Sequence, residues 1–178
     1  MKITARLDVN IDQEFSRLNK DATAAKQRGD WREAIRLLRT AKQRQGPMYA
    51  ETRLAKFLQQ AGLFDEAIEE IEWLIEHSNH WAETLFGHQP RSVRRSAQAS
   101  WISRINKDAA LICKRAKDAA RQKHHEREHE RWLAVHRKLN ETAQKEKAAE
   151  RLGWEEAKKL GIAAMAKFLE KKRSGKLP

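Results

Sequence analysis

The chain is poor in the residues that interrupt helices, in the residue that cross-links, and in long apolar runs. Three prolines and seven glycines in 178 residues are too few breaks for strands joined by turns, so long helices are expected. A single cysteine, Cys113, has no partner for an internal disulfide. It reads as a small buried apolar residue in a reducing compartment, the cytoplasm. No stretch reaches the ~18 apolar residues of a membrane span, and the opening MKITARLDVNID is too polar for a secretory signal. A membrane partner is not expected. No glycine-rich phosphate loop, Ser/His/Asp arrangement or strand-borne carboxylate pair is found, which points to a non-enzymatic protein without a cofactor. No zinc finger or RNA-binding signature is present to support base readout.

Charge is abundant and unevenly placed. Residues 1–90 hold 13 Lys+Arg and 14 Asp+Glu, whereas residues 91–178 hold 24 and 11, and the whole chain carries +12. Residues 61–90 contain seven acids and no Lys or Arg, and residues 91–123 contain ten bases and two acids. An acidic block abutting a basic one suits mutual attraction, within or between chains, or an outside partner for each.

A repeat organises the first half. Gly29-Asp30-Trp31-Arg32-Glu33-Ala34-Ile35 returns 33 residues later as Gly62-Leu63-Phe64-Asp65-Glu66-Ala67-Ile68. Each glycine follows one amphipathic run and precedes another, as at a helix C-terminus. Phe15, Leu18, Ala22 and Ala25 form the apolar stripe before Gly29, and Trp31, Ala34, Ile35, Leu38 and Ala41 the stripe after it. Leu54, Phe57, Leu58 and Ala61 precede Gly62, and Phe64, Ala67, Ile68, Ile71, Leu74 and Ile75 follow. All keep the three-and-four spacing of a helix with one buried side. Gly46-Pro47 breaks the chain between the two hairpins, with Pro47 placed to start a helix.

These blocks resemble the tetratricopeptide repeat, a pair of helices in about 34 residues. The resemblance covers two units, roughly residues 15–47 and 48–80. Ala22 and Ala34, then Ala55 and Ala67, match the small positions where the two helices of a unit pack closest. Asp21 and Glu51 depart from it, standing where the family prefers apolar residues, and Leu74 replaces a small one. The resemblance implies a concave surface, lined by the first helix of each unit, that holds an extended peptide. Asn19, Thr23, Lys26, Gln27, Arg53, Lys56 and Gln60 fall on it and suit an acidic segment of a partner protein. Thr23 stands where the best-known carboxylate clamp has asparagine.

Two units seldom bury enough surface alone, so a cap is expected. His80–Phe86 reads as a short capping helix, and Gly153-Trp154-Glu155-Glu156-Ala157 as an incomplete echo of the repeat. The period-two alternation Ile3, Ala5, Leu7, Val9, Ile11 reads as an extended segment over residues 1–12, pairing across a homodimer or lying over the first hairpin. The organisation expected is thus all-α: the segment 1–12, hairpins with their capping helix over 13–90, and a basic long-helix region over 91–178.

Between Arg91 and Leu152 there is neither Gly nor Pro. A continuous helix of that length would span about 90 Å, so a fold-back or coiled coil is expected. The apolar pattern lapses at Lys123–Glu130, which marks the expected bend, and a last helix is expected from Trp154 to about Lys172. Arg104, Lys107, Lys114 and Arg121 share one face at 100° per residue, and Arg94, Arg95 and Arg115 add to the basic character. Such a helix suits phosphates, which makes nucleic acid the alternative partner. His125-Glu126-Arg127-Glu128-His129 spells the zinc-hydrolase pattern HExxH. Charged residues fill the positions between and beside its ligands, where a catalytic zinc needs a dry cavity. The motif therefore reads as coincidence, and a zinc hydrolase is the third and weakest reading.

Overall fold

The computed structural model describes residues 3–46, 49 and 51–173, and side chains within those ranges from Gln13 to Lys172. It is all-α: seven helices and, among the described residues, no strand. They are α1 (Ile3–Gln27), α2 (Trp31–Gln45), α3 (Arg53–Gln60), α4 (Phe64–Phe86), α5 (Arg91–Arg115), α6 (Ala119–Leu160) and α7 (Ile162–Arg173). Consecutive helices are neighbours, so the chain forms three antiparallel hairpins, α1–α2, α3–α4 and α5–α6, with α7 folded back on α6. None of these helices is long and apolar enough to cross a membrane.

The three hairpins turn by one device. Gly29 and Gly62 adopt φ of 80° and 84°. The amide beyond each reaches back five residues, Asp30 N–H to the Ala25 carbonyl at 3.0 Å and Leu63 N–H to Leu58 at 2.9 Å. This closure satisfies carbonyls that the last helical turn leaves open. In the third hairpin Lys117 takes the left-handed position at φ 62°, and Asp118 N–H reaches Cys113 at 3.0 Å. A side chain there costs about 1–2 kcal/mol. Asp118 then caps α6 by accepting from Arg121 N–H at 2.9 Å, as Asp30 caps α2 through Glu33 N–H at 3.0 Å.

Ala22, Ala34, Ala55 and Ala67 are each 0% exposed, which lets the helices of each hairpin approach closely. Leu38, Leu58, Ile71 and Leu74 lie fully buried beside them, each contributing roughly 1.5–3 kcal/mol of apolar burial. Trp101, Ile105, Ala109, Ile112 and Cys113 of α5 belong to the same core. Residue 90 is therefore no boundary within it: α5 takes the place the expected cap was meant to fill.

Several expectations are corrected. Residues 3–12 are helical and continuous with α1, because Ile3, Leu7, Ile11 and Phe15 also stand four apart, a spacing the alternation hid. His80–Phe86 is the end of α4 and not a separate helix. The buried stripe continues through small residues there, Ser78 and Ala82. Helix α6 runs through Lys123–Glu130 and through Gly153. The fold-back lies at Ala116–Asp118, and the last break at Gly161, where φ is 95°. Pro47 and the tail from Ser174 lie outside the described residues.

Candidate interaction surface on α1, α3 and α5

The groove residues and the basic helix, read from sequence as separate features, meet on one surface. Asp108 of α5 joins them: Lys56 Nζ lies 2.7 Å from its carboxylate, and the Thr52 hydroxyl donates to the same oxygen. From Asp108, helical spacing of i−4, i+3 and i+7 puts Arg104, Leu111 and Arg115 on the same side of α5. Leu111 is 41% exposed there, and the Arg104 guanidinium sits 5.5 Å from the Trp101 ring centroid. Lys107 and Lys114, one residue away on the wheel, flank this strip and are exposed.

Toward α1, Arg53 ties the first hairpin to the second. Its guanidinium donates to Thr23 Oγ1 at 2.6 Å and Asn19 Oδ1 at 3.4 Å. Asn19 is held in that orientation by donating from Nδ2 to the Phe15 carbonyl at 3.1 Å. The Lys26 ammonium lies 4.8 Å from the Phe57 ring centroid and 5.6 Å from that of Trp31, a cation–π arrangement. Gln27 and Gln60 stand exposed at their helix ends. Five of the seven groove residues thus cross-link or pack on neighbouring helices. The face still presents Lys26, Arg53, Lys56, Arg104 and Arg115, all cationic, with Asp108 set among them.

Three members of the basic set lie elsewhere. Arg94 staples the α4–α5 turn, donating to the Gly87 and Gln89 carbonyls at 3.1 Å each and lying 3.3 Å from Glu83. Arg121 does not share a face with Arg104, because the helix ends at Arg115. It belongs to α6, 3.6 Å from Asp118 and 5.6 Å from the Phe64 ring centroid. Arg95 is exposed near the start of α5.

The acidic block pairs mainly with α2. Arg39 bonds Glu66, and Lys42 bonds Glu70 at 2.6 Å. Burial raises the Glu70 carboxyl above its ordinary range, against the pull of Lys42. Asp65, Glu69, Glu72 and Glu76 remain exposed along α4. This stripe belongs to the second helix of its hairpin, whereas the basic strip belongs to first helices.

The histidine motif lies in the α5–α6 seam. His125 Nδ1 is 2.8 Å from Asn106 Oδ1. His129 Nδ1 lies 3.0 Å from the Ser103 carbonyl, and His136 Nδ1 3.0 Å from that of Ser96. Because the Asn106 oxygen only accepts, the His125 ring N–H donates to it; the Nδ1 atoms of His129 and His136 also lie 2.8 and 3.1 Å from the Ser103 and Ser96 hydroxyls. The α5 face receiving them is Ser92, Ser96, Ala99, Ser103, Asn106, Ala110 and Cys113, all buried and at three-and-four spacing. Small side chains leave room for the imidazoles. Among the described residues, no group of three or more His, Cys, Asp or Glu is placed to hold a metal ion.

Sequence reasoning missed Asp108 as the organiser of the surface, although it is the lone acid in residues 91–117. It also missed the small-residue face of α5, whose signal was the regular spacing of serines and alanines beside the Ile stripe. No family model matches the chain, and neither a curated protein nor a solved structure matches it.

Proposed function

We propose that the protein is a non-enzymatic adaptor whose α1–α3–α5 face holds an acidic segment of a partner protein. The observation carrying this is the Lys56–Asp108 bridge at 2.7 Å between α3 and α5, which with the Arg53–Thr23 bond at 2.6 Å to α1 ties the three helices together. Arg53, Lys56 and Arg104 are held by neighbours, so little side-chain entropy is lost when a carboxylate arrives. The stacked hairpins and their alanine contacts support a tetratricopeptide-like scaffold, in which such a face receives extended peptides. Calorimetric titration with a Glu-rich 12-residue peptide tests the proposal. Arg104→Glu/Arg115→Glu should weaken binding by about tenfold or more, roughly 1.4 kcal/mol, while Lys123→Glu on α6 should not. Equal affinity for both variants would refute it.

A second reading has its own support. Lys107, Lys114, Arg104 and Arg115 are exposed on α5, and among the described residues none has a carboxylate partner. A nucleic-acid strand would use them, and its affinity would fall steeply with salt, by about 0.9 log unit per log unit for each phosphate contacted on duplex DNA. Displacement of the peptide by a 20-nucleotide strand at physiological salt would favour this reading over the first.

A further inference from the structure

Away from that face, a cleft of about 490 Å³ opens between the α4–α5 turn and the α6–α7 hairpin. We propose that it is a binding site for a small aromatic anion. Its floor is aromatic: the rings of Trp154 and Phe168 lie 5.6 Å apart at 50°, with Pro90 and Leu169 beside them. Gly153 permits this. A Cβ there would meet the Phe168 ring at 3.0 Å, so the ring lies directly against the α6 backbone. The volume falls within the roughly 300–1,000 Å³ of small-molecule sites.

The rim carries the charge. Lys147 and Arg151 stand one helical turn apart on α6 and line the cleft. Both are exposed, and among the described residues neither has a carboxylate partner. A third cation, Lys172, bonds the neighbouring Glu150, so these two cancel. Two uncompensated cations therefore face an apolar floor. An inorganic anion would leave the rings unused, and a neutral aromatic would leave the cations unused. A flat ring bearing a carboxylate or phosphate uses both, through stacking and through the planar donors of Arg151.

The test uses the full chain and two probes, indole-3-acetate for a carboxylate and adenosine 5′-monophosphate for a phosphate. The readout is the Trp154 indole N–H signal, one of six, assigned by its loss in Trp154→Phe. A saturable shift is expected with at least one probe, and which probe binds identifies the anion. Lys147→Glu/Arg151→Glu should weaken binding by about tenfold or more with helicity unchanged, and Lys147→Gln/Arg151→Gln serves if the reversal lowers helicity. The uncharged counterparts, indole and adenosine, should bind comparably more weakly. No saturable shift with either probe, equal affinity in the double variant, or equal affinity for the uncharged counterpart would each overturn the proposal.

Discussion

Replacing Asn106 by leucine should show how the α5–α6 seam is held. Asn106 and His125 are 2% and 7% exposed. Asn106 donates from Nδ2 to the Ile102 carbonyl at 2.9 Å, which turns its oxygen toward the imidazole N–H at 2.8 Å. Asn106→Leu keeps the volume and removes the acceptor, leaving a buried ring N–H without a partner. That desolvation costs about 1–3 kcal/mol. Removing both groups, in Asn106→Leu/His125→Leu, should return stability to within roughly 1 kcal/mol of the parent, since no polar atom is then stranded. Asn140→Leu on the exposed side of α6 is the control, expected within about 0.5 kcal/mol. Urea unfolding followed by far-ultraviolet circular dichroism at pH 8 measures all four chains, and an unchanged m-value shows that the unfolded state is the same. A single variant as stable as the parent, or a double variant as weak as the single, would refute the reasoning.

Burial holds the His125 imidazole below its ordinary pKa, with His124 and Arg121 adding to the effect. As pH falls through about 6.5 the unfolded chain therefore binds the proton first. This contribution to stability should be complete above that pH and decline below it. Urea midpoints at pH 8 and pH 5.5 should show a fall in the parent and a smaller one in His125→Leu. Cys113 is 0% exposed, and burial pushes its thiol pKa up. A thiol reagent should leave the native chain unlabelled and react once in urea, and rapid labelling in native buffer would contradict the packing described.

The parts legible in the sequence were those that rest on local rules. Gly29 and Gly62 stand where left-handed turns need them, and the alanines at 22, 34, 55 and 67 announce close helix contacts. The fold-back was expected but its turn was misplaced, because Lys117 makes the same left-handed turn against its own preference, and no composition rule flags a lysine there. The bend was expected at Lys123–Glu130 because polar residues were equated with solvent. In fact His125 is buried against Asn106, and the seam's polarity is satisfied across two helices that only the tertiary fold brings together. Of the groove residues, Asn19, Thr23 and Arg53 hydrogen-bond one another, with Asn19 buried. Their pairing, and that of Lys56 with Asp108, depends on how hairpins stack, which spacing along one helix does not encode.

Helix α5 is enclosed on two sides, by the shared core through Ile105 and Ile112 and by α6 through its small residues. Excising the chain at Pro90 would strip the second hairpin of its cover, removing Trp101 from its stacking on Trp81. Neither half is a portable module. A fragment intended to carry only the repeats would have to extend through α6, and so would bring the basic strip with it.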